Sequence, residues 1–169
     1  STSSIAVNAA RVALESAGLT PDQIGMIIVA TSTSDYHSFP STACLVQHAL
    51  GANNAGAFDI QAACTGFIYA LEVARGMMMV NPLPTLVIGA DLMSRIVDWS
   101  DRNSCILFGD AAGAVVLEAS NIQGGIWHSI LKSDGSGSKL LYREGGSRQL
   151  ANGPWMKQNT LEMQGRQVF

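Results

Sequence analysis

Charge is scarce in this chain. Only 14% of its 169 residues are Asp, Glu, Lys or Arg, against 47% hydrophobic, whereas about a quarter of a soluble domain is usually charged. A Gly- and Ala-rich chain of this kind is expected to bury much of its surface against further sequence or another subunit. Basic residues are scarcer still: the formal charge is −3 and no basic cluster exceeds two residues, so no nucleic-acid footprint is present. Cysteine is limited to Cys44, Cys64 and Cys105, far apart and without a CxxC pair. That argues against a zinc site and against a disulfide framework. The odd count suits a reducing compartment, hence a cytoplasmic location. No apolar run reaches the roughly 18 residues of a membrane span. The opening Ser1-Thr2-Ser3-Ser4 has neither a charged segment nor an initiator Met. It is therefore expected not to be a signal peptide, and both ends read as cut.

What remains is an orderly alternation of elements. Ser3 or Ser4 can cap a helix running to about Ala17, with Ile5, Ala9, Val12 and Ala13 on its apolar face and Gly18 as its stop. Residues 25–30, GMIIVA, form a continuous apolar run, the pattern of a strand covered on both faces. Pro40 opens a helix over 41–50 ended by Gly51, and Ala57 to Ile60 is a second short strand. From Cys64 the spacing turns helical, with Phe67, Ile68, Leu71 and Ala74 inward and Glu72 and Arg75 outward. Thr85 to Ala90 is another buried strand. Cys105 to Phe108, a turn at Gly109–Gly113, and Ala114 to Ala119 predict a hairpin, and Gly125 to Leu131 a further strand. Ser133 to Ser138 is a Gly/Ser-rich loop, and periodicity is weak up to Thr160. The alternation implies an α/β layered fold.

Cys64 stands where a strand ending in small residues meets an amphipathic helix. Backbone N–H groups and the dipole at such a helix start favour a thiolate, and strand–turn–nucleophile–helix is the arrangement of many acyl-transfer enzymes. A buried thiol that merely fills space is the competing reading, since most free cysteines do that. Spacing alone does not choose between them.

The segment 59–71, DIQAACTGFIYAL, resembles the nucleophile motif of β-ketoacyl-acyl-carrier-protein synthase III. Gln23-Ile24-Gly25 through Thr31 and Phe39-Pro40-Ser41-Thr42-Ala43-Cys44 resemble the strand and loop before it. Asp101-Arg102, Ile106–Asp110, Asp134-Gly135-Ser136 and Met163-Gln164-Gly165 through Phe169 extend the likeness, in family order, to the last residue. The resemblance implies a thiolase-like α-β-α-β-α fold, of which residues 1–169 hold most of the first half, its beginning and the second half being absent. It implies a homodimer that initiates fatty-acid synthesis: Cys64 takes an acyl group from acyl-CoA, usually acetyl-CoA, and malonyl-acyl carrier protein then loses carbon dioxide and attacks it. Coenzyme A enters as a thioester substrate, and no separate cofactor, metal, nucleic acid or membrane is implied.

The family stabilises the enolate of the second step with a His and an Asn, and nothing here matches those segments. His37, His48 and His128 are read as surface or structural, and Cys44 and Cys105 as inert buried thiols. By resemblance, Arg102 grips the CoA nucleotide; as a plain sequence feature, Asp101-Arg102 is only a surface pair. Phe108 and Phe169 match aromatic positions of the acyl pocket, Met93 and Met163 its neighbouring walls, and Phe39 a loop residue that crosses the dimer interface. Each is also plausible as ordinary core or loop anchor. Ala111 stands where the family tends to have Gly, and Met77-Met78-Met79-Val80 is an unusual apolar helix end. Beside a fatty-acid enzyme stand three alternatives: a starter-unit condensing enzyme of a secondary-metabolite pathway, a non-catalytic assembly remnant, and a Cys hydrolase, the last disfavoured because no His/Asp partners are in evidence.

Overall fold

A computed structural model describes residues 1–121, 124–143 and 160–168. The chain divides into two compact units, Ser1–Asp91 with Ala111–Leu131, and Leu92–Asp110 with Lys132–Phe169.

The first unit begins with α1, Thr2–Ala17. Ser1 caps it: the Ser1 hydroxyl accepts from the Ser4 N–H while the Ser4 hydroxyl accepts from the Ser1 amino group, satisfying donors at the helix start from both sides. Gly18, at φ 69°, closes it with bonds to Glu15 and Leu14, a conformation that costs glycine little. Strand β1, Met26–Ala30, lies between β2, Gly56–Ile60, and β3, Thr85–Leu92, parallel to both. Helix α2, Thr42–Leu50, joins β1 to β2, and α3, Gly66–Val80, joins β2 to β3. Strand β4, Asp110–Leu117, lies outside β3, giving the order β2-β1-β3-β4.

The alternation of strand side chains sorts the two faces. Ile27, Val29, Leu86, Ile88 and Ala90 pack with α1 and α2 through Ala6, Ala10, Leu14, Ala43 and Val46. Ile28, Ala30 and Val87 point the other way, onto Ala70 and Ala74 of α3. The unit is thus three layers, helix–sheet–helix, and β1 is covered on both faces as its unbroken apolar run predicts. Residues 63–80 are long and apolar enough to cross a membrane, with mean hydropathy 1.2, despite the expectation that no run would be. Here that stretch is a helix of the layered fold, with Glu72 and Arg75 paired on its surface.

Two expectations fail. Gly109–Gly113 is not a hairpin turn: Asp110–Leu117 is one strand, and Cys105–Leu107 is a short 3-10 turn. Ala112, Ala114 and Val116 pack on the α1/α2 side, a two-residue period that Gly and Ala conceal because they carry turn signals and little apolar weight. Ala111 accordingly lies in a strand, not in a turn. The described part of 125–131 forms no strand either; it is held to α3 where the Ser129 hydroxyl donates to Glu72 at 2.6 Å.

In the second unit, the 3-10 turn Met93–Arg95 is tied to the start of β4, because the Ser94 N–H and hydroxyl both donate to Asp110, at 2.8 and 2.7 Å. The Leu161 N–H donates to the Ile96 carbonyl at 2.7 Å. Strands β5, Leu141–Tyr142, and β6, Glu162–Met163, form an antiparallel pair, followed by α4, Gly165–Val168. Within the Ser133–Ser138 loop, Asp134 caps a 3-10 turn over Gly135–Gly137. The weakly periodic stretch before Thr160 lies largely outside the described residues.

Candidate active site

Strand β2 ends at Ile60, and its neighbours across the ladder are Ala30 and, beyond it, Gly89. The loops leaving this carboxyl edge are where open α/β sheets place their ligand sites. One of them is the turn that carries Cys64. Residues Ala63–Thr65 form a single 3-10 turn, and α3 starts directly after it at Gly66. Cys64 is exposed, so the space-filling reading of a buried thiol does not apply to it. No side chain caps α3, because the Thr65 hydroxyl donates instead to the Ala62 carbonyl at 3.0 Å. Cys64 thus stands two residues ahead of the start of an uncapped fifteen-residue helix.

The turn is unusual in its backbone. Ala63 has φ 45°, in the left-handed region, and is the one positive-φ residue besides glycine among those described. An alanine there carries a steric cost that glycine would not.

Three carboxylates organise the same edge. Asp59, on β2, accepts the N–H groups of Thr42 and Ala43 at 2.8 and 2.7 Å, fastening the strand before Cys64 to the start of α2. Asp91, at the end of β3, accepts from the Thr31 and Thr33 hydroxyls and the Ser32 N–H. Asp35 accepts the Ser3 N–H and hydroxyl, and its own N–H donates to the Thr42 hydroxyl at 3.2 Å. The loop 31–41 is therefore held from α1, α2 and β3. Nothing in the sequence reading assigned these aspartates a role, although a carboxylate inside an otherwise apolar strand is itself a signal, since Asp is depleted in strands.

Phe39 sits in that loop, 82% exposed, which rules out a loop anchor packed within this chain. Met93, Arg102, Phe108 and Met163 belong to the second unit. The segments bearing Met93, Phe108 and Met163 are joined by the Ser94–Asp110 and Ile96–Leu161 bonds, and all three side chains are half-buried. Arg102 is exposed at a turn built on Asp101, which accepts the Ser104 hydroxyl and the Asn103 N–H. Those bonds, Ser104's first, hold the Asp101 carboxyl below its ordinary range. Asp110 is lowered likewise by Ser94. Phe169 lies outside the described residues.

His37, His48 and His128 are exposed, His128 in an irregular segment and not in the strand expected for it. The reading of Cys44 and Cys105 as buried thiols is also incorrect. Cys44 is exposed on α2, its thiol 3.7 Å from the Ala57 carbonyl, and Cys105 is half-exposed in its 3-10 turn. Among the described residues no group of three or more His, Cys, Asp or Glu is placed to hold a metal ion.

Known proteins match this chain along its length. A family model described as 3-oxoacyl-[acyl-carrier-protein] synthase III matches residues 58–135, which include the end of β2, Cys64, β3 and β4. The chain is 50% identical over 174 residues to a β-ketoacyl-[acyl-carrier-protein] synthase III of Cereibacter sphaeroides, covering 99% of this chain and 52% of that protein. It is 48% identical over 172 residues to the enzyme of that name from Caldanaerobacter subterraneus, with the same coverage. Among solved structures, the 3-oxoacyl-[acyl-carrier-protein] synthase III of Aquifex aeolicus superposes with a TM-score of 0.86 at 41% identity, over 99% of this chain and 51% of that one. The priming β-ketosynthase of the R1128 polyketide pathway superposes at 0.85 with 34% identity, over 99% and 50%. The chain spans about half the length of the curated relatives it matches. With a thiolase-like α/β fold and a nucleophile-type cysteine turn inside the matched segment, the chain belongs to the β-ketoacyl-[acyl-carrier-protein] synthase III family.

Proposed function

We propose that the protein is an acyltransferase that initiates fatty-acid synthesis through an acyl-Cys64 intermediate. The single observation carrying this reading is the exposed Cys64 on a strand-to-helix turn, within the segment that the family model matches. The Cys64 thiolate attacks the thioester carbonyl of an acyl-CoA, the carbon–sulfur bond to CoA breaks, and CoA leaves as its thiol after taking up a proton. Malonyl-acyl carrier protein then releases carbon dioxide, and its carbanion displaces Cys64 to give the β-ketoacyl product. The second step calls for electrostatic stabilisation of an enolate, which none of His37, His48 and His128 is assigned to supply.

Arg102, exposed beside a rigid Asx turn, is the residue for the CoA nucleotide. By family resemblance, Met93, Phe108, Met163 and Phe169 are the residues assigned to the wall of the acyl pocket. The 82% exposure of Phe39 supports a homodimer in which Phe39 reaches the partner's pocket. The three free cysteines support a cytoplasmic location. A polyketide-priming role has less support, as the relative so titled is 34% identical against 50% for a β-ketoacyl-[acyl-carrier-protein] synthase III.

Radiolabelled acetyl-CoA tests the reading. Label should appear on the protein and be abolished by Cys64→Ala. A folded chain that takes up no label would instead be a non-catalytic assembly module.

A further inference from the structure

We propose that Ala63 is a positioning residue: its strained backbone, held in place by the sheet and by α2, fixes the direction in which Cys64 presents its sulfur. The inference rests on the acyl-transfer reading above.

An alanine at φ 45° persists only where its surroundings over-determine it. They do so here on both sides. Upstream, the Thr31 N–H donates to the Ile60 carbonyl at 3.1 Å, and Asp59 binds the first two N–H groups of α2, so the end of β2 is pinned. Downstream, the first turn of α3 is seated closely on the sheet. A Cβ on Gly66 would lie 3.3 Å from the Ala30 Cβ, and one on Gly89 3.3 Å from the Phe67 ring. Between these anchors the turn closes on itself, because the Thr65 N–H and hydroxyl both donate to the Ala62 carbonyl, at 3.2 and 3.0 Å. Five residues, Gln61 to Thr65, must therefore reverse the chain between two fixed points, and Ala63 takes up the unfavourable angle.

If Ala63 served stability alone, glycine would be an improvement or neutral in every assay, since it adopts this φ without steric cost. Positioning predicts the opposite for reactivity, because glycine also opens other conformations to the turn. The test uses the full chain carrying Cys44→Ala and Cys105→Ala, so that Cys64 is the one thiol. Ala63→Gly should leave the thermal midpoint equal or higher while slowing acetyl transfer from acetyl-CoA to Cys64 roughly tenfold, as misplaced reacting groups do. Ala63→Asn, a residue that tolerates the left-handed region, should stay within about threefold of the parent. Alkylation of Cys64 by iodoacetamide, which needs no acyl-CoA site, should follow the same order.

An Ala63→Gly protein that reacts at the parent rate overturns the proposal, and so does one whose midpoint falls. A parent that alkylates but takes no acetyl group would overturn the acyl-transfer reading instead, and the alkylation rates would still decide the role of Ala63.

Discussion

At the scale of single residues, exposure separates the three cysteines less than backbone geometry does. All are accessible to some degree, yet only Cys64 follows a left-handed alanine and precedes an uncapped helix. The other residue with a distinct electrostatic setting is Glu72. Its carboxylate is bound by the Arg75 guanidinium and then by the Ser129 hydroxyl, which lower its pKa from 4.5 to about 2. A carboxyl held below its ordinary pKa stabilises the folded state above that ordinary value, and the contribution is lost as pH falls toward the lowered one. The difference in thermal midpoint between the parent and Glu72→Gln should therefore be full above pH 4.5 and shrink to nothing on approach to about pH 2. The carboxylate is half-buried and its Arg75 partner more open to solvent, so the pair is partly screened and the difference should also narrow in high salt. Equal midpoint differences at pH 6 and pH 2.5 would refute the assignment.

At the scale of elements, α3 contains two glycines with opposite reasons for being there. Gly66 lies against Ala30, where a methyl group would meet the Cβ at 3.3 Å. Gly76 has nothing within 4 Å of where its Cβ would stand. Gly66→Ala should cost about 1–3 kcal/mol by overpacking. Gly76→Ala should add about 0.5–1 kcal/mol, because glycine in a helix interior wastes backbone entropy. Urea denaturation of the two variants reads both signs, and a destabilising Gly76→Ala would mean that this end of α3 is not helical in solution. A seat of small residues has a geometric purpose: it lets the helix that follows Cys64 approach the sheet edge.

At the scale of the whole molecule, the chain carries large apolar side chains in solvent. Met79, Val80 and Leu83 crowd the end of α3, and Trp127 and Ile130 project from the segment after β4. Surfaces of this kind associate. The chain by itself should run in light scattering as a dimer or larger species, concentration-dependent in size, and a monodisperse monomer at about 17.8 kDa would contradict that. The low charge of the sequence anticipated this surface, since 14% charged residues leave little polar material to cover it.

The sequence by itself determined the order of elements from α1 to β3, the burial of β1 on both faces, and the place of Cys64 between a strand and a helix. Those features are local: apolar periodicity and a glycine stop act over a few residues, so they can be read in a line, whereas the serine cap falls at Ser1 and not at Ser3 or Ser4. Tertiary structure alone decided the rest. Asp110–Gly113 became strand because β3 offered an edge to pair with, and pairing outweighs the turn preference of glycine. The stretch 125–131 stayed irregular although its composition suits a strand. Asp35, Asp59 and Asp91 acquired their roles from partners between 16 and 60 residues away, a distance that no pattern of spacing reveals. The left-handed φ of Ala63 has the same origin, because a steric cost at one residue is accepted only when the two elements on either side are already fixed elsewhere.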